Sequence, residues 1–162
     1  MFVNPTTKKM ADFLNEIGIE VTSGKFEEEE VLPGILINDG IIVVDESKLL
    51  YPGDLLHEAG HIAVKPSSER KKIRVNCGND PAEEMMAMAW SYAALVHLNI
   101  PPDVVFHEHG YKGQAQQLIY GFQNGYYIGL PMLQWVGMSA DNQNAPGLGV
   151  EPFPKMIKWL RD

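Results

Sequence analysis

Met10, Phe13, Leu14 and Ile17 recur at the three-to-four-residue spacing of one helical face, after Asn4 and Pro5 and before Gly18. Asparagine can accept hydrogen bonds from the first free amides, proline suits the first helical position, and glycine ends the pattern, so a helix is predicted up to Gly18. The periodicity then changes. Ile35-Leu36-Ile37 and Ile41-Ile42-Val43-Val44 are β-branched runs separated by Asn38-Asp39-Gly40, which predicts two strands joined by a tight hairpin turn. The four glutamates at 27–30 read as a solvated turn or strand edge.

After Tyr51-Pro52-Gly53, Asp54 is placed to cap a helix over 55–64, and a polar, basic loop follows over 65–79. The next helix has Asp80 at its cap, Pro81 at its first position and Glu83 three residues after the cap, where it can reach back to the Asp80 backbone. It carries Met85, Met86, Ala89, Trp90, Ala93, Ala94 and Leu95 and stops at Asn99-Ile100-Pro101-Pro102. Apolar residues lie on nearly every side of it, so it reads as a central, buried helix. Beyond residue 100 stand eight of the 15 glycines and six of the 11 prolines. That density predicts only short helices, at about 113–123 and 153–161, within irregular structure. No repeat, low-complexity tract or domain boundary is visible, so residues 1–162 read as one α+β domain, a small hairpin or sheet packed on helices.

Composition narrows the function. A net charge of −8 and no clustered basic footprint argue against nucleic acid as a partner. The nearest candidate, Arg70, Lys71, Lys72 and Arg74, reads as a solvated loop. The one cysteine, Cys77, excludes an internal disulfide and reads as a small buried thiol, with a regulatory metal ligand as the other reading. The first ten residues show no secretory pattern, and the near-apolar stretch at 85–98 is too short and too interrupted for a membrane span. The expectation is a soluble, cytoplasmic protein with no membrane partner.

The chemistry lies in His57-Glu58-Ala59-Gly60-His61, an H-E-x-x-H pattern on the helix expected over 55–64. Residues four apart share a helix face, so both imidazoles can point at one ion. Zinc accepts imidazole nitrogen at about 2.0–2.1 Å, and a catalytic site leaves one position open. Glu58, beside the first histidine, can then act as general base toward a water whose pKa the ion lowers to about 7. Gly60 is unfavourable inside a helix by up to about 1 kcal/mol, so another backbone or a substrate is expected to pass close to it.

A third ligand is needed. Cys77, Asp80, Glu83, Glu84, His97, His107 and His109 are candidates downstream. Two packed helices can present side chains to one ion between them, which points to Glu83 or Glu84. Capping gives Glu83 a structural task, whereas Glu84 shares a mostly apolar face with Met88, Ser91 and Leu95 and wants a partner there. Glu84 is favoured and Glu83 stays open. His97 on the apolar helix reads as a hydrogen-bonded core histidine.

The motif, followed on a later helix by a glutamate 23 positions after His61, resembles the gluzincin-type zinc metallopeptidases. Within them the short chain and the hairpin before the motif helix are most similar to the ImmA/IrrE family of minimal intracellular metallopeptidases. That resemblance spans roughly residues 35–98. It implies a zincin-like fold, one zinc per chain held by His57, His61 and Glu84, and Glu58 as general base. Where the family often has Ala-Asn-x-Phe-Ala after the ligand glutamate, this chain has Met85-Met86-Ala87-Met88-Ala89.

A second cluster, Val105-Phe106-His107-Glu108-His109-Gly110-Tyr111, offers His107 or Tyr111 as a donor to a developing oxyanion if the loop folds over the site. Two functions follow. One is a zinc-dependent hydrolase, most simply a peptidase acting on a peptide or protein substrate, with the hairpin edge adding an extended strand. The other is a non-catalytic, metal-stabilised domain that binds a regulatory protein partner through aromatics such as Tyr126, Tyr127 and Trp135. An intact Glu58 favours catalysis, because a purely structural site needs no base.

Overall fold

The computed structural model describes residues 1–27, 30–74 and 80–162. Cys77 and two of the four clustered glutamates, Glu28 and Glu29, lie outside the described residues. The architecture is α+β, a three-stranded mixed sheet with eight α-helices among the described residues.

Helix α1, Pro5–Ile17, starts where Asn4 accepts from the amides of Thr6 (2.8 Å) and Thr7 (3.3 Å), two donors that the first turn cannot satisfy itself. Met10, Phe13 and Leu14 are buried and Gly18 closes the helix in the left-handed region. Three strands follow: β1 Val21–Ser23, β2 Ile35–Asn38 and β3 Ile41–Val44. The expected hairpin is β2–β3, antiparallel with Asn38 opposite Ile41. Asp39 and Gly40 both take positive φ, 52° and 78°, the conformation a two-residue hairpin loop needs to match strand twist. β1 was not expected; it pairs parallel to β3, and the sheet order is β1-β3-β2. Three residues carry no periodicity of their own, and the strand exists through that pairing.

Helix α2, Asp54–Val64, bears the motif, and the four-residue α3, Ser67–Arg70, interrupts the loop expected beyond it. Helix α4, Pro81–His97, is capped by Asp80, which accepts from the Ala82 amide at 2.9 Å. α2 and α4 form the central packed pair. A Cβ on Gly60 would stand 2.9 Å from the Ala87 carbonyl oxygen and 3.2 Å from Ser91 Oγ, so the close backbone expected at Gly60 is that of α4. Trp90 fills the core between α4 and the C-terminal segment, its Nε1 donating to the Trp159 carbonyl at 2.9 Å.

Short helices complete the chain: α5 Pro102–Val105, α6 Ala115–Gln123, α7 Leu130–Trp135 and α8 Ala145–Leu148, with a 3-10 turn at Tyr111–Gly113. α6 answers the helix expected at 113–123. The helix expected at 153–161 does not form, because tertiary partners take its amides: Phe153 donates to Ala140, Ile157 to Met138 and Arg161 to Ala63. Arg161 Nη1 also reaches the Val64 carbonyl at 3.3 Å, so the segment satisfies acceptors that the end of α2 leaves open. His97 is corrected too. It is exposed on the last turn of α4, with its ring against Phe13 and Trp159. Among the described residues no helix is long and apolar enough to cross a membrane.

Candidate metal centre

His57, His61 and Glu84 come together where α2 crosses the first turn of α4, a group that could hold a metal ion. Leu55, Leu56, Ala59, Ile62 and Ala63 bury the rest of α2, which fixes the rotation of the helix and turns both histidines the same way. Their Nε2 atoms are 3.3 Å apart. Glu84 Oε2 is 2.9 Å from His61 Nε2, and Oε1 is 3.5 Å from His57 Nε2. A tetrahedron with metal–ligand bonds of about 2.0–2.1 Å has edges of roughly 3.3–3.4 Å. The Nε2–Nε2 separation matches one such edge, the two oxygens of Glu84 each face one of the imidazoles, and two imidazole lone pairs facing each other want a cation or proton between them. The donor set fits zinc.

The electrostatics agree. Burial, reinforced by the neighbouring His61, holds the His57 imidazole down at about 4 against the pull of Glu84. Burial also presses on His61, but Glu84, Glu58 and Glu83 together outweigh it and raise its pKa above the usual 6.5. The hydrogen bond from His61 lowers Glu84. Carboxylates crowd two imidazoles and favour positive charge between them.

His57 and Glu84 sit on the wall of a cleft of about 850 Å³ that Glu58, Met88, His107 and Tyr111 also line. Glu58 is buried on α2 beside the ligands. Among the described residues the group has three protein ligands. Asp80 is the α4 cap, and exposed His109 stands near Glu108, so neither joins it.

The second cluster does fold over the site. Tyr111 and Lys112 have φ of 56° and 53°, a left-handed conformation that costs non-glycine residues on the order of 1 kcal/mol or more each. This loop brings the Tyr111 hydroxyl within 3.2 Å of His57 Nδ1. Burial pushes the phenol well above its ordinary pKa of 10, so it stays protonated. His107 is stacked on Tyr51, with ring centroids 3.9 Å apart, and its Nε2 is 2.8 Å from Asp54 Oδ1. Asp54 therefore does not cap α2 as expected. It occupies the first turn and spends its carboxylate on His107, and burial raises its pKa against that contact.

Glu83 likewise departs from its expected capping role. Its carboxylate meets Lys65 Nζ at 2.5 Å and His61 Nδ1 at 3.4 Å. Lys65 was missed from the sequence, though a signal exists: His57, His61 and Lys65 stand at successive intervals of four, Lys65 being the extended C-cap residue just past α2. The partnership of Asp54 with His107 has no such signal, since 53 positions separate them. Comparison of the chain with protein-family models, curated proteins and solved structures finds no match in any of the three.

Proposed function

We propose that the chain is a zinc-dependent hydrolase of zincin-like type, a peptidase akin to the ImmA/IrrE-like gluzincins. The observation that carries this reading is the three-cornered set of His57 Nε2, His61 Nε2 and the Glu84 carboxylate, opening on a cleft beside Glu58. A purely structural zinc site closes with four protein ligands, whereas three ligands and an open side suit catalysis. That contrast favours hydrolysis over a metal-stabilised binding domain.

Zinc held there would supply Lewis acidity, which polarises a carbonyl and makes a water acidic near neutral pH. Glu58 takes the proton from the attacking water and returns it to the leaving nitrogen. Of the two donors suggested by the sequence, Tyr111 is the better supplied for the oxyanion. Its oxygen can accept from His57 Nδ1–H while its own proton remains to donate, whereas Nε2 of His107 is spent on Asp54. Leu32 and Pro33, just ahead of edge strand β2, line the same cleft. An extended peptide added to that edge would run toward the metal ligands.

The test is hydrolysis of unstructured, fluorescence-quenched peptides by zinc-loaded protein. Glu58→Gln is expected to keep its zinc and lose hydrolysis by about 100-fold or more. Equal hydrolysis by wild type and Glu58→Gln would remove Glu58, and this mechanism with it.

A further inference from the structure

We propose that Lys112 is a specificity-determining residue whose ammonium anchors a carboxylate of the substrate beside the metal centre. The proposal rests on the peptidase reading above and adds the class of peptide the cleft takes. That class carries a negative charge near the bond that is cut, from a free C-terminus or an acidic side chain.

Tyr111, Lys112 and Gly113 take φ of 56°, 53° and 78° in succession. Chains of L-residues visit the left-handed region one residue at a time, and glycine or asparagine enters it far more easily than tyrosine or lysine. Such strain persists where the surrounding structure imposes it, and it clusters at ligand clamps. Here the turn places two adjacent side chains on the wall of one cleft, where an extended segment would send them to opposite sides. The Tyr111 hydroxyl reaches His57. Lys112 is the one lysine or arginine among the described residues that line the cleft.

The fold itself does not use that ammonium, which enters no hydrogen bond or ion pair among the described residues. Carboxylates on the same wall have other partners. Glu84 faces His61 and His57, Asp54 meets His107, and Asp80 accepts from the Ala82 amide. Glu84 is held below the usual carboxylate range first by the hydrogen bond from His61 and least by the charge of Lys112, so the cation stands on the metal-ligand side of the cleft. A peptide lying along this wall offers a cation two kinds of acceptor. Its amide carbonyls are neutral, whereas a carboxylate makes the shorter and stronger charge-assisted bond. Lys112 therefore discriminates by charge, and it does so next to the reacting bond rather than at a remote rim.

The experiment compares N-terminally labelled peptides of one neutral sequence: with a free C-terminus, with an amidated one, and amidated with a glutamate in place of the central glutamine. Cleavage is followed by chromatography on zinc-loaded protein. Binding is followed by fluorescence anisotropy on Glu58→Gln protein, both zinc-loaded and metal-free. The free acid or the glutamate peptide is expected to be favoured over the neutral amide by about 3- to 10-fold in KM and in Kd, and the favoured arm names the source of the carboxylate. Lys112→Met is expected to bring that ratio to about one, and Lys112→Arg to keep it. Both replacements carry a Cβ as lysine does, so neither adds strain to the turn. Equal binding of the three peptides, binding of none, or a preference that survives in Lys112→Met would overturn the proposal. If no zinc bound or no peptide were cleaved, the metal reading would fall, while the ratios on metal-free protein would still decide the part played by Lys112.

Discussion

Gly60→Ala sets helix propensity against the packing of the two ligand-bearing helices. Alanine is the better helix former by about 1 kcal/mol. Its Cβ, however, would stand 2.9 Å from the Ala87 carbonyl oxygen, where ordinary contact begins at 3.4 Å. The difference, 3.4 − 2.9 = 0.5 Å, is the withdrawal of α4 that restores ordinary contact. Backbone meets backbone here, so no flexible side chain can absorb it. Overpacking of this kind costs about 1–3 kcal/mol, which leaves a net loss of about 1 kcal/mol after the propensity gain. The effect on the metal site is larger. His57 and His61 ride on α2 and Glu84 on α4, and zinc sites tolerate ligand displacements of about 0.2 Å. A shift of 0.5 Å is expected to weaken zinc at least 10-fold. Urea denaturation of the metal-free protein and chelator competition for zinc read the two effects separately. A Gly60→Ala protein that is more stable by about 1 kcal/mol, with unchanged zinc affinity, would refute the close-packing argument.

Two further outcomes follow from the site. Zinc affinity should fall as pH falls, because the proton on His61 must leave before metal binds. The pKa of His61 is raised by its carboxylate neighbours despite burial, and His57 is held at about 4. The logarithm of the affinity should therefore lose about one unit per pH unit just below the raised His61 pKa and steepen only near pH 4. A two-proton slope already at about pH 6 would contradict that assignment. Tyr111→Phe should retain zinc but reduce peptide hydrolysis by about 100-fold, and hydrolysis at the wild-type rate would move the donor role elsewhere.

What was legible in the sequence was what local chemistry decides. Asn4, Pro5 and Gly18 bound α1, Asp39-Gly40 fixes the hairpin register, and Asp80-Pro81 starts α4. The His57–His61 spacing defined one helix face. Glu84, favoured over Glu83 for its apolar face, is the residue near both Nε2 atoms. Its side chain is nevertheless 39% exposed against 13% for Glu83, so burial does not explain the choice. What was not legible depends on distant partners. β1 is a strand because β3 lies beside it. The segment after Pro152 has helical spacing but gives its amides to Ala140, Met138 and Ala63. Asp54 and Glu83 are good capping residues by type and position, and a histidine or lysine brought in by the fold outbids the backbone for each.

The most direct test of the central claim is zinc content by plasma mass spectrometry. It would be measured on untagged protein purified without chelator and reconstituted with zinc, for wild type and for His57→Ala, His61→Ala and Glu84→Ala. The account predicts about one zinc per wild-type chain, as a three-residue site with an open position holds a single ion, and loss of that zinc in each variant. No zinc in reconstituted wild type, or full zinc in Glu84→Ala, would contradict it.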